Sequence, residues 1–262
     1  MAVVGHVESL WRYPVKSMRG EELAEAFLGF AGVYGDRIFA FRSPAGPKGF
    51  PYHTGREQEQ MLLFRPAFRH PERMARPPNL PEAEAIAPGA TPVYPDPADL
   101  ALDVGTPSGE VLAIDDPRLL GMLGDDGAQG AVTLHRSDRA MTDCRPVSLF
   151  SVQTARRLGE EVGREVDKRR FRANLYLDLG EARGFAEDGL VGRRLRIGEK
   201  AVVAVTDRDP RCKMVTLDPD TAERNPEVLR AINRAHANKA GIYGAVLVEG
   251  TVRPGDEITL AD

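Results

Sequence analysis

Short apolar segments broken by glycine and proline dominate the chain, and in stretches such as Leu175 to Leu177 and Ala201 to Val205 the pattern has the period of strands. Gly198-Glu199-Lys200, between LRI and AVVAV, predicts a hairpin turn, and Pro254-Gly255-Asp256 before EITL predicts another. Strands at this spacing predict a barrel. Helical patterning is confined to a few places. Ser151 is placed to cap a helix that carries Ala155, Leu158 and Val162 on one face. Asn225 and Pro226 open a better-marked one, with Val228, Leu229 and Ile232 as its apolar face, ending before Ala240-Gly241. A shorter helix is expected from Pro117 to Leu123. Asp143 to Phe150 reads as a turn entering the Ser151 helix.

Residues 75–97 are rich in proline and alanine without a period, which predicts an exposed loop or a loosely structured insertion. The expected fold class is α+β and β-rich. A smaller β-rich or α/β N-terminal region is expected over residues 1–127, followed by a barrel domain over 128–262.

Composition narrows the function classes. With 42% hydrophobic residues in 262, the chain can fill a substantial core. A net charge of −4 offers no overall basic field for nucleic acid, although a local basic pocket is compatible with it. The opening residues lack a basic segment followed by a long apolar one, and no run approaches the ~20 apolar residues that span a bilayer. A cytoplasmic protein without membrane or nucleic-acid partners is expected. Cys144 and Cys212 are too few for a disulfide framework, so free thiols are expected, with a single bridge left open by count.

The histidines His6, His53, His70, His135 and His236 are scattered, and no zinc spacing, Walker loop, G-x-S-x-G elbow or dinucleotide fingerprint occurs. That leaves Cys212, flanked by Arg208, Arg211 and Lys213 after a strand. Fixed positive charge favours the thiolate, the soft ligand and nucleophile that metals and sulfur chemistry require. Composition alone favours the plainer reading of a lone cysteine as a small buried hydrophobe. Cys144 also has an arginine neighbour, so adjacency to arginine does not select between the two, and a small, partly buried residue suffices there. Basic residues gather around Lys16 and Arg19, at Arg37, and from Lys168 to Arg172, where each cluster suits either a phosphate or a solvated surface.

Y-P-V-K-S near the start, G-D-R-x-F, F-R-x-N-L, D-G-L-x-G-R-x-L-R-I-G, P-R-C-K-M-V-T-L-D-P-D-T and V-R-P-G-D-E-I occur in this order from Leu10 to Leu260. Together they resemble the MOSC family with its N-terminal MOSC-N region. The resemblance implies a β-barrel domain that holds molybdenum on a pyranopterin dithiolene, with Cys212 as the protein's thiolate ligand to the metal. Carried over by position, Lys16, Ser17 and Arg37 would contact the cofactor from the N-terminal region. Arg172 and Asn174 would do so from F-R-x-N, Arg211 from the cysteine motif, and Tyr243 from G-I-Y-G. Arg56 matches another N-terminal position whose role is either binding or structural.

Similar proteins, the amidoxime-reducing components, remove oxygen from N-hydroxylated substrates. Where those relatives read C-S-R-C, this chain has Asp209-Pro-Arg-Cys212, which places a carboxylate near the expected metal as a proton-transfer group. No ferredoxin-like cysteine segment is present, so a separate electron-donor protein or reductase is expected as partner. The family also contains sulfur-carrier domains that work with a pyridoxal-phosphate cysteine desulfurase, in which case Cys212 would carry a persulfide. A third reading is a protein that stores or inserts the cofactor without turnover.

Overall fold

The computed structural model describes residues 2–47, 49–124 and 131–261. Seven strands form its centre: β1 (Val3–Arg12), β2 (Val147–Ser151), β3 (Leu175–Asp178), β4 (Arg194–Ile197), β5 (Ala201–Pro210), β6 (Lys239–Val248) and β7 (Glu257–Ala261). They pair in the order β3-β2-β6-β5-β4-β7-β1, and β1 pairs back onto β3. The sheet is therefore a closed barrel, with no free edge among these strands. The expected β-rich α+β fold is what the chain adopts.

The closing strand comes from the first residues of the chain. β1 runs antiparallel to β3 from His6 opposite Asp178 to Leu10 opposite Leu175, and pairs on its other side with β7. The expected N-terminal region thus contributes one stave of the barrel. The expected division at 127/128 falls outside the described residues.

Inward-facing Val7, Leu10, Leu149, Leu175, Leu177, Leu195, Ile197, Val203, Val205, Ile242 and Ile258 fill the barrel. Both predicted turns occur: Ile197 pairs with Ala201 across Gly198 to Lys200, and Gly255 precedes β7 with φ of 89°. The left-handed backbone there suits glycine, which carries no Cβ to clash.

β2 and β3 are parallel, so a crossover must join them, and a helix over Val152–Val162 provides part of it. Ser151 caps this helix by accepting from the Thr154 amide, and Gly163 ends it in the left-handed conformation. The helix over Pro226–Ala235 is capped by Asn225, as expected, but stops at Ala235, five residues before Ala240. Val228, Ala231 and Ile232 face Leu158, Val166, Phe171 and Tyr176 in a helix layer outside the barrel wall.

Two other expectations are corrected. Val147 to Phe150 is a fully buried strand, not a turn, because its apolar residues lie between β3 and β6. Residues 75–97 contain a helix over Leu80–Ile86, with Pro81 in its first turn and Ala83 buried. The expected short helix spans Pro117–Gly124. It joins Val15, Met18, Phe41, Met61, Leu102 and Val104 in a core of the N-terminal region, separate from the barrel interior.

Candidate functional site

A cleft opens where the N-terminal core, the barrel and the helix layer meet. It measures about 740 Å³ including its mouth. Lys16, Ser17, Arg37, Arg172, Asp209, Arg211, Cys212 and Tyr243 all line it. Residues far apart in sequence are thus brought together. Arg56, Arg145 and Arg170 also reach it, so seven cations face two carboxylates, Asp143 and Asp209, in a chain that is acidic overall.

Strand ends and irregular backbone position these groups. β5 is bulged between Arg208 and Pro210 against β6, and Asp209 sits in that bulge just before the loop that carries Cys212. Bulges re-aim side chains and end pairing, which is why they recur beside sites. β6 supplies Tyr243, opposite Ser148 of β2 on one side and Asp207 on the other. Among the described non-glycine residues with positive φ are three from the cleft: Ser17 at 68°, Arg37 at 47° and Arg172 at 52°. Left-handed backbone costs L-residues energy and persists where surrounding packing over-determines it.

Cys212 is free and half-buried. Arg56 lies beside it and also pairs with Asp143 at 2.9 Å. Of the basic residues next to Cys212 in sequence, only Arg211 turns into the cleft. Arg208 pairs with Asp188 at 2.8 Å, and Lys213 with Glu59 at 2.8 Å while donating to the Arg56 carbonyl. Lys213 therefore braces the Arg56 loop.

Arg211 is held on two sides. Its Nε donates to the Ala240 carbonyl at 2.6 Å and its Nη1 to the Phe171 carbonyl at 3.0 Å. Its Nη2 sits 2.8 Å from Asp209, close enough for an ion pair but not aligned as a hydrogen bond. Asp209 is only 2% exposed. Burial pushes its pKa up to about 6, against the pull of Arg211 and a hydrogen bond from Tyr243. Burial and the Asp209 charge together raise the Tyr243 phenol far above its ordinary value, so it stays a donor.

On the opposite wall, Lys16 is buried and pairs with Asp143 while donating to the Met141 carbonyl at 2.8 Å. Burial lowers its pKa, and Asp143 opposes that shift. Arg37 pairs with the fully buried Asp36, whose other oxygen accepts from the Tyr13 amide at 2.8 Å. Among the described residues Arg172 has no such carboxylate. Its guanidinium lies over the Tyr13 ring, and burial, beside the like charge of Arg37, lowers its pKa to about 10.

Asn174 does not line the cleft. It is buried, its Oδ1 accepting from Ser148 and its Nδ2 donating to the Trp11 carbonyl at 3.3 Å, and so positions Ser148 on the cleft wall. The D-P-D-T turn stays at the periphery too: Asp218 holds Arg170 at 2.8 Å, and Asp220 binds Arg19 and Arg169. Cys144 is exposed rather than partly buried and lies outside the cleft. Sequence reasoning missed Phe50, Asp143 and Arg145 as cleft residues. Asp143 had no motif signal beyond lying beside Cys144.

The chain matches the family models described as MOSC domain, over residues 136–259, and MOSC N-terminal beta barrel domain, over residues 4–84. It belongs to the MOSC family, whose members bind the molybdenum cofactor or carry sulfur. Comparison with curated proteins finds no match. Among solved structures the chain is similar to the YuaD protein of Bacillus subtilis, with a TM-score of 0.47 and 14% identity over 97% of this chain and 93% of that one. It is also similar to YiiM from Geobacillus stearothermophilus, with a TM-score of 0.36 and 24% identity over 45% of this chain and 55% of that one. For YiiM from Escherichia coli the TM-score is 0.32, with 18% identity over the same 45% and 55%.

The cleft's own donors suit an anionic cofactor of this kind. Arg172 Nη2 and Arg56 Nε are shielded from solvent and have no hydrogen-bond partner among the described residues. An anionic group in the cleft would satisfy them. Among the described residues no three His, Cys, Asp or Glu side chains converge to hold an ion. A metal held at Cys212 would take its remaining donors from a bound organic group. No helix among the described residues is long and apolar enough to cross a membrane.

Proposed function

We propose that this chain is a molybdenum-cofactor-dependent oxidoreductase that removes oxygen from N-hydroxylated, or related N- or S-oxygenated, small molecules, with Cys212 as the metal's protein ligand. The observation that supports it is the pairing, in one cleft, of a lone half-buried thiol with guanidinium donors left unsatisfied by the fold. When bound, the cofactor supplies a redox metal that exchanges oxygen with substrate. Lys16, Arg37 and Arg172 bind the cofactor's anionic part, and Ser17 adds a hydroxyl. Arg211, clamped by two carbonyls, keeps the Cys212 loop against β6. Reducing an N-hydroxyl group to an amine consumes two protons and two electrons and releases water. Asp209, its pKa pushed up to about 6 by burial, takes up and releases a proton at its carboxylate just below neutral pH, with the Tyr243 hydroxyl beside it. The electrons come from a separate donor protein.

Elemental analysis for molybdenum and fluorescence of the released pterin, on parent protein and Cys212→Ala from a cofactor-competent host, test the reading. Near-stoichiometric metal, lost in the variant together with reduction of an amidoxime, is expected. Metal-free protein that acquires a persulfide on Cys212 from a pyridoxal-phosphate desulfurase would replace this reading with sulfur carriage. Tight cofactor binding without reduction of any N-hydroxylated compound would leave a storage or insertion protein.

A further inference from the structure

Next to the cleft, behind the loop that carries Asp143, lies a second and larger cavity of about 1670 Å³ including its mouth. Thr142 lines both spaces; Asp143 and Arg145 line the cleft, whereas Cys144 and Pro146 line the cavity. Its walls are mainly apolar, with Val33 and Leu100 buried within them. Two aromatic residues that also line it, Phe30 and Tyr94, are 50% and 59% exposed. Large apolar rings left in water around a concave space mark a binding surface more than a packing accident.

The charges at this cavity are almost all committed. Asp36 is paired with Arg37, Glu249 accepts from the Phe30 amide at 3.0 Å, and Asp138 pairs with Arg136 at 3.0 Å. Arg139 is the exception. It is exposed and lines the cavity, and among the described residues no carboxylate pairs with its guanidinium. One uncommitted cation beside three carboxylates favours a single negative charge over a multiply charged phosphate.

We propose that this cavity is a second ligand site, which takes a flat apolar molecule bearing one carboxylate. Phe30 and Tyr94 cover the ring system, and Arg139 grips the carboxylate. The site needs neither Cys212 nor any bound cofactor.

The test is titration of the full chain with 2-naphthoate by calorimetry, beside 2-naphthylamine of the same shape, with intermolecular NOEs to locate the ligand. Naphthoate is expected to bind at least about tenfold more tightly than the amine, a difference of ~1.4 kcal/mol, with NOEs to the Phe30 and Tyr94 rings. Arg139→Ala, an exposed change, should remove that preference, and Phe30→Ser should weaken both ligands. No binding, equal binding of the amine, or NOEs to Phe50 and Met214 in the neighbouring cleft in place of Phe30 and Tyr94 would each overturn the proposal. Because these readouts involve no metal and no turnover, their failure is separate from any failure of the oxidoreductase reading.

Discussion

The guanidinium of Arg172 lies 4.3 Å from the centroid of the Tyr13 ring, and one of its terminal nitrogens meets no acceptor among the described residues. A cation–π contact of this kind offsets part of the cost of burying a cation, not all of it. Burial and Arg37 leave its pKa at about 10, below the ordinary 12.5. The charged form is therefore less favourable in the folded chain than in the unfolded one. That penalty is complete below pH 10 and is relieved only as pH rises from there toward 12.5. Arg172→Met should accordingly stabilise the cofactor-free protein at neutral pH by about 1 kcal/mol, while binding of inorganic pyrophosphate falls. Urea melts and pyrophosphate calorimetry check both halves; a variant less stable than its parent refutes the first.

Asp209 follows the same logic with opposite charge. Its folded pKa of about 6 exceeds the ordinary 3.8, so the ionised carboxylate destabilises the fold above pH 6. The effect fades as pH falls through 6 toward 4. Asp209→Asn removes this dependence. It should match or exceed parental stability at pH 7 to 8, by at most ~2 kcal/mol, and lose that advantage near pH 4. Losing the Arg211 partner reduces the gain, although Arg211 keeps its two carbonyl acceptors. If Asp209 also delivers a proton, the pH–rate profile of the loaded enzyme loses its limb near pH 6; an unchanged profile and substrate range exclude that role.

Gly241 supports the site through space it leaves empty. Its φ is 82°, and a Cβ there would come within 2.9 Å of both the Leu149 carbonyl oxygen and Arg211 Nη2. Gly241→Ala should cost about 3 kcal/mol from backbone strain and backbone contact combined. Thermal melting would show it, and a shift under about 1 kcal/mol would contradict the steric account.

Ser151 does two jobs at the start of its helix. Its hydroxyl accepts from the Thr154 amide at 3.1 Å and donates to the buried Glu187 at 2.7 Å. Ser151→Ala should destabilise by about 2 kcal/mol, more than an isolated cap, because a fully buried carboxylate also loses a donor. A loss of a few tenths would mean that Thr154 alone satisfies Glu187.

Much of this was legible along the chain. The hairpin at Gly198 to Lys200, both long helices with their caps, and the β-rich class follow from local propensity and period, which depend on neighbours only a few residues apart. Cys212, Arg37 and Arg172 stood out through motif resemblance. Phe50, Asp143 and Arg145 did not, because their place in the cleft depends on loops folding over from other parts of the chain. The Val147–Ser151 strand was misjudged for a related reason. A short apolar run next to Pro146 resembles a turn until its two neighbouring strands are known.

The sequence by itself determined the β-rich class, the hairpin at Gly198 to Lys200, the capped starts of the two longer helices and the inventory of chemically capable side chains, since these rest on backbone propensity, spacing and residue type. Tertiary structure alone decided that β1 closes a barrel whose other staves begin more than a hundred residues later. It also decided which arginines are spent on internal carboxylates and which face the cleft unsatisfied. The physical reason is that pairing and burial are set by distance in space. Arg208 and Arg211 share a neighbourhood in sequence, yet one finds Asp188 outside the cleft and the other turns inward beside Asp209.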